Sequence, residues 1–116
     1  MQDRDDALLL DMLAAARRVK AFTRGVDRIR SLKDEMLQSA VAYQFQIVGE
    51  AASRVSPGGQ AMHPAIPWRE IIGLRNRIVH GYLSVESNQI WCIVETHVEP
   101  LIAVLSGLVP PEDDSN

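Results

Sequence analysis

Side chains suited to phosphate chemistry are concentrated in residues 75–82, where Arg75, Asn76, His80 and Tyr82 occur together. Arginine offers a fixed fork of donors that matches phosphate oxygens, and histidine titrates near neutrality and can accept or deliver a proton. In RNA the 2′-hydroxyl can attack the neighbouring phosphate, so a proton-transfer group and a cation suffice for cleavage without a metal. The stretch therefore indicates phosphoryl chemistry, with Arg75 and His80 as candidate catalytic residues.

The spacing of Arg75 and His80 limits what one chain can do alone. Residues five apart on a regular helix differ by about 140° around the axis, so the two side chains point in different directions. Either the helix breaks at Gly81 and re-aims His80, or a symmetric dimer brings two copies of the segment together. We favour the homodimer, with some fraying of the helix end.

Each of these residues also has a purely structural interpretation. Arg75 could form an ion pair with Glu50 or Glu70, His80 could cap a helix end, and Tyr82 could pack at the edge of a bundle. Because Glu50 lies in a largely apolar helical segment, we expect it to be partly buried and paired with an arginine, a structural role preferred over general-base catalysis.

The elements that position these residues are all predicted to be helical. Residues 1–56 contain no proline, and apolar side chains repeat there at helical spacing over roughly 5–24 and 33–56, with Gly25 suited to end the first helix. A third helix is predicted over 67–80, and a fourth begins at a cap on Ser84 or Ser87 and is kinked at Pro100. The segment 57–67 contains three prolines and two glycines and predicts a loop. The pattern predicts an all-α bundle of four main helices.

Length and composition bound the remaining possibilities. The chain has 116 residues, a length typical of one domain. We expect this domain to span residues 1–109 and an acidic tail to follow at 110–116. The single cysteine, Cys92, excludes an internal disulfide and a multi-thiolate metal site, and we expect it to be a small buried residue. We expect no metal and no cofactor. The acidic start of the chain and the lack of a long apolar run predict a cytoplasmic protein that does not enter a membrane.

The net charge of −3 conceals a strong polarity along the chain. Residues 17–33 hold seven basic residues against one acidic residue, a local charge of +6, while the remainder carries −9. This basic ridge could guide RNA phosphates or dock an acidic partner, and solvation alone is an equal alternative. Arg17, Arg18 and Arg77 are the candidate RNA contacts.

The sequence resembles the HepT-like proteins of the HEPN superfamily, which are toxin components of toxin–antitoxin pairs. The resemblance covers most of the chain, and its most specific part is the Arg-x4-His-x-Tyr element of residues 75–82. Corroborating elements are Ile-Val-Gly-Glu-Ala at 47–51, His-Pro-Ala-Ile-Pro-Trp at 63–68, and Ile-Trp at 90–91 before a proline-containing last helix.

The resemblance implies a homodimeric antiparallel helical bundle with ribonuclease activity, in which Arg75 and His80 of both subunits line a cleft. It further implies a type VII toxin–antitoxin system, whose partner is a minimal nucleotidyltransferase that transfers AMP to Tyr82. Asn76 matches the polar residue usual after the arginine and would hold the scissile phosphate or orient His80. Some HEPN proteins are non-catalytic nucleotide- or substrate-binding subunits of a nucleotidyltransferase complex, which is the alternative. The RNA substrate, tRNA or mRNA, stays open.

Overall fold

A computed structural model describes residues 3–80 and 86–109 of the chain. Those residues form helices and connecting turns without any strand, so the predicted all-α class is confirmed. The helices are α1 (Asp3–Phe22), α2 (Arg28–Lys33), α3 (Glu35–Arg54), α4 (Pro57–Met62), α5 (Trp68–His80), α6 (Ser87–Thr96) and α7 (Val98–Leu108). The expected tail at 110–116 lies outside the described residues, and the domain boundary at 109 stays a prediction.

The long helices α1 and α3 form the centre of the bundle and run antiparallel. One core cluster joins Leu9 and Met12 of α1 to Val55 at the end of α3 and to Leu105 of α7. A second cluster joins Val19 near the end of α1 to the start of α3 and to α5. Helix α5 packs on the other side of α3, and α7 packs on α1. The core is mostly aliphatic, as the low aromatic content of 5% requires.

The observed ends of the first two long helices have local causes. Gly25 adopts a φ of 71°, a left-handed conformation that glycine tolerates without strain, three residues after α1 ends at Phe22. Asp34 caps α3 because its carboxylate accepts a hydrogen bond from the Leu37 backbone N–H at 3.0 Å. Asp27 caps the short α2 in the same manner by accepting from Arg30 N–H. Helix α2 was not predicted.

The prediction of an uninterrupted loop over 57–67 is wrong, because its first half forms α4. The hydroxyl of Ser56 accepts a hydrogen bond from the Gly59 N–H at 3.0 Å, and Pro57 occupies the first turn, where its missing N–H costs nothing. The buried carboxylate of Asp5 on α1 accepts from Ser56 N at 2.9 Å and from Ser56 Oγ at 2.6 Å. A proline that cannot continue one helix therefore begins the next.

The predicted kink of the fourth helix is present as a break between α6 and α7, which are bent by 48°. It lies at His97 rather than at Pro100, since Pro100 has no N–H to donate to the carbonyl of Thr96 and its ring crowds that carbonyl. The predicted serine cap is wrong at Ser87, which is the first helical residue and donates its hydroxyl proton to Gln38 Oε1 at 3.0 Å. Ser84 lies outside the described residues.

The prediction that Cys92 is buried is also wrong, because its side chain is exposed. The neighbouring Trp91 occupies the buried face of α6, with 5% of its surface exposed, and successive helical residues differ by about 100° in direction. No single helix of the described residues has both the length and the apolar character needed to cross a membrane, although α6 and α7 together meet that test as a bent pair.

Candidate active site

Arg75 projects from α5 at the point where α5 comes closest to α3. The contact residue on α3 is Gly49, where an added Cβ would overlap Cβ of Arg75 and lie 2.8 Å from its Cγ. The same Cβ would lie 3.2 Å from the carbonyl oxygen of Ile71. Only a residue without a side chain allows this approach, so Gly49 determines where the base of the Arg75 side chain sits.

The guanidinium of Arg75 is fixed by two neighbours. Its Nη2 lies 3.0 Å from Glu50 Oε2, and its Nη1 donates to Asn76 Oδ1 at 3.2 Å. The Nε of Arg75 is buried and has no hydrogen-bond partner. The pairing expected for Glu50 is therefore present, and half of its side-chain surface is exposed.

Asn76 is an exposed residue whose observed contact is with Arg75 rather than with His80. Its amide oxygen accepts from the guanidinium and can limit rotation of that group. The Arg75 side chain is 27% exposed, so part of the guanidinium remains open to a ligand from solvent. A phosphate oxygen approaching this face would meet a cation that is already oriented.

His80 is the last residue of α5 and is exposed. Because α5 is continuous from Trp68 to His80, His80 lies about 7.5 Å further along the axis than Arg75 and about 140° around it. The described helix is regular through His80, and the alternative of a break at Gly81 falls on a residue outside the described ones. The two side chains do not converge within one protomer.

Tyr82, the residue expected to be modified, lies outside the described residues, as does Gly81. Among the candidate RNA contacts, Arg77 is exposed on α5 and donates from Nη2 to Gln89 Oε1 at 3.0 Å. Arg18 is exposed on α1 and lies 3.5 Å from Gln44 Oε1, while Arg17 is exposed beside it.

The basic ridge of residues 17–33 is partly neutralised by the last two helices. Lys20 forms an ion pair with Glu99 at 2.7 Å, and Arg28 forms one with Glu95 at 3.2 Å. Both pairs are solvent-exposed and contribute little to stability, but they reduce the charge that the ridge presents.

Sequence reasoning missed a groove of about 430 Å³ that Arg75 shares with α1 and α3. Its polar lining consists of Asp11, Arg18, Tyr43, Gln46, Glu50, Arg54 and Arg75. The signal available in the sequence was the spacing of positions 43, 47, 50 and 54, which places them on one face of α3. Among the described residues, no group of three or more His, Cys, Asp or Glu side chains is arranged to hold a metal ion.

The fold and the site together define an all-helical protein with an arginine and a histidine, five residues apart, on one exposed helix. A family model described as HepT-like, ribonuclease HepT-like, matches residues 12–108. A protein of Methanocaldococcus jannaschii, named as a proposed RNase, is 33% identical over 99 residues, covering 84% of this chain and 91% of that protein. A protein of Thermococcus cleftensis, named as a proposed ribonuclease HepT, is 31% identical over 93 residues, covering 80% and 84%. The chain belongs to the HepT-like ribonuclease family, and no solved structure gave a significant match.

Proposed function

We propose that this protein is the toxin of a type VII toxin–antitoxin system and acts as a metal-independent endoribonuclease. Family membership supports a ribonuclease, and the Arg75-x4-His80 spacing on the exposed helix α5 is the observation that carries the site assignment. The alignments with the relatives named as RNases cover most of the length of those proteins, which supports a shared activity.

In the proposed reaction the 2′-oxygen of a ribose attacks the adjacent phosphorus, and the bond from phosphorus to the 5′-oxygen breaks. His80 accepts the proton of the 2′-hydroxyl, and water delivers a proton to the leaving 5′-oxygen. Arg75 stabilises the charge that develops on the non-bridging oxygens, while Glu50 and Asn76 hold its guanidinium in place. The products are a 2′,3′-cyclic phosphate and a free 5′-hydroxyl.

The proposal includes a homodimer, because Arg75 and His80 of one chain point about 140° apart. A symmetric pair of α5 helices would bring Arg75 of one protomer near His80 of the other.

Control by a cognate minimal nucleotidyltransferase completes the proposal. Transfer of AMP to Tyr82, two residues after His80, would place bulk and negative charge where an RNA phosphate must bind. The reaction and its control would take place in the cytoplasm, with tRNA or mRNA as the substrate.

The experiment is cleavage of labelled RNA by the purified chain in the presence of EDTA. Wild-type protein should yield cyclic-phosphate ends, while Arg75→Ala and His80→Ala should each lower the rate by at least about 100-fold. Arg69→Ala, which removes an exposed arginine of the same helix, is the matched control and should cut normally. An active His80→Ala protein would disprove the assignment, and nucleotide binding without cleavage would favour the non-catalytic alternative.

A second arm tests control of the toxin. The wild-type chain should gain the mass of AMP when incubated with the partner nucleotidyltransferase and ATP, and cells that express both proteins should grow. Tyr82→Phe should not gain that mass and should arrest growth even with the partner present. If the Tyr82→Phe chain still gains the mass of AMP, the modified residue is not Tyr82.

A further inference from the structure

We propose that the groove between α1 and α3 binds a short single-stranded segment of RNA, with Tyr43 stacked on one base and with Arg18 and Arg54 holding phosphates. We call this the Tyr43 groove. The inference deepens the proposed function, since it assigns to one protomer the surface on which the substrate strand lies beside Arg75. It adds Tyr43 and Arg54 to the candidate RNA contact Arg18, and all three lie on helices that carry no part of the motif at 75–82.

Tyr43 is the central observation. Its side chain is 60% exposed on α3, and it lines the groove together with Arg75. An aromatic ring stacks on any base, because every base has a π face, so such a contact gives affinity without strict sequence preference. Of the large exposed hydrophobic side chains in the described residues, Tyr43 is the one that lines this groove. The exposed aliphatic residues that would anchor a protein partner, such as Ile29 and Met36, lie elsewhere.

The charges of the groove favour a polyanion despite two carboxylates. Glu50 is paired with Arg75, and Asp11 is the other acidic residue of the lining. Arg18 contacts the neutral amide of Gln44. Within the part of the chain that the structure describes, Arg54 is exposed and forms no hydrogen bond or ion pair. Two arginines are therefore left to meet phosphates, against one unpaired carboxylate.

The register of α3 and α5 places the groove beside Arg75. Gly49 contacts Arg75, and Phe45 clusters with Ile78, so the two helices run antiparallel. With the same rise per residue in both helices, His80 lies at about the height of residues 44–45 of α3. A strand lying in the groove would extend about 16 Å from Arg54 to Tyr43 and would pass Arg75 on the way.

Binding is tested with fluorescein-labelled single-stranded RNA and the full chain carrying His80→Ala, which keeps the RNA intact. Adding Tyr43→Ala should raise Kd by about tenfold, whereas Tyr43→Phe keeps the stacking ring and should bind within about twofold. Phe22→Ala removes an exposed aromatic ring outside the groove and is the matched control. Equal affinity of Tyr43→Ala and its parent, or an equal loss with Tyr43→Phe, would overturn the stacking role.

The arginines are tested through the salt dependence of the same binding. Arg54→Ala should weaken binding and lower the slope of log K against log salt concentration by about one, the loss of one phosphate contact. Arg69→Ala should leave the slope unchanged. RNA carrying 4-thiouridine should crosslink to the peptide that contains Tyr43. A crosslink confined to other peptides would refute the groove as the path of the strand.

These outcomes separate the groove from the proposed activity. If a Tyr43→Ala chain with His80 intact cleaves RNA with the same KM as the wild-type chain, the groove is overturned and the ribonuclease assignment stands. Tyr43-dependent binding without any cleavage would support the groove and disprove the enzyme. If Tyr43→Ala loses binding to the nucleotidyltransferase but keeps its affinity for RNA, the groove docks the protein partner instead.

Discussion

Arg75 and Glu50 form an ion pair that joins the two helices nearest the proposed chemistry. The carboxylate lies 3.0 Å from the guanidinium, and the two side chains are 50% and 27% exposed. Solvent screens such a pair, so its contribution to stability is under about 1 kcal/mol. Its value lies in orientation, because the pair fixes the position of a guanidinium whose side chain stays 27% exposed to an approaching phosphate.

Glu50→Gln separates this positioning role from catalysis by a base. The amide keeps an acceptor for Arg75, so we expect RNA cleavage within about tenfold of wild type and an unchanged pH dependence of kcat, whereas loss of a general base costs about 10²–10⁴-fold. Steady-state cleavage of labelled RNA between pH 5 and 9 measures both. A 1000-fold loss with a displaced pH profile would make Glu50 the base.

At the scale of helices, the close approach of α3 and α5 depends on one missing side chain. Gly49→Ala would drive a methyl group into Cβ and Cγ of Arg75. We expect a destabilisation of about 1–3 kcal/mol, as in other overpacked cores, together with slower RNA cleavage because Arg75 shifts. Urea unfolding and the cleavage assay measure the two effects.

The control for that substitution is Gly73→Ala on α5, where an added Cβ meets nothing within 4 Å. There the methyl group only raises helix propensity, so we expect a stabilisation of about 0.5–1 kcal/mol. Equal stabilisation by both substitutions would show that the contact at Gly49 is not close.

The attachment of α1 to the start of α4 should make stability depend on pH. Hydrogen bonds donated by the hydroxyl and the N–H of Ser56 lower the pKa of Asp5 below its ordinary value, and nearby positive charges act in the same direction. A carboxyl group with a lowered folded pKa stabilises the fold above its unfolded pKa of about 3.9 and loses that contribution as pH falls through the folded value.

Asp5→Asn should therefore lower the urea midpoint at pH 7, and the gap from wild type should narrow at pH 3 and below. The hydroxyl of Ser56 also caps α4, so the variant is expected to loosen that helix first. A gap that stays constant from pH 7 to pH 2 would mean that the ionised form of Asp5 is not what stabilises this junction.

The limits of the sequence are visible in these same elements. Apolar spacing and capping residues predicted α1, α3 and α5 to within about two residues, because amphipathic periodicity is encoded locally. Helix α4 was not predicted because a proline such as Pro57 is compatible both with the end of one helix and with the first turn of the next. The hydrogen bond from the Gly59 N–H to the Ser56 hydroxyl distinguishes the two cases, and it forms only when α4 is present. The Arg75-x4-His80 motif was visible, but its contact with Gly49 and the groove with Tyr43 depend on how α3 packs, which no local pattern specifies.

For the molecule as a whole, the smallest dimension indicates how many layers of helices the fold contains. The described fold measures 41 × 35 × 21 Å, and its least extent equals about two helix diameters. Two layers of helices leave α5 with Arg77, Val79 and His80 on the surface rather than inside. The chain thus presents its motif helix outward, in a position where a second copy could complete the site.

Complementation between inactive chains tests that dimer directly. If Arg75 of one protomer acts with His80 of the other, an Arg75→Ala chain paired with a His80→Ala chain retains one intact site of two. Random exchange makes half of the dimers mixed, so a one-to-one mixture of the two inactive proteins should regain about a quarter of wild-type cleavage. The activity should rise with time of exchange and fall on dilution below the dimer Kd, while a chain carrying both substitutions should rescue neither. A mixture that stays inactive, although native mass spectrometry shows mixed dimers, would mean that Arg75 and His80 act within a single chain.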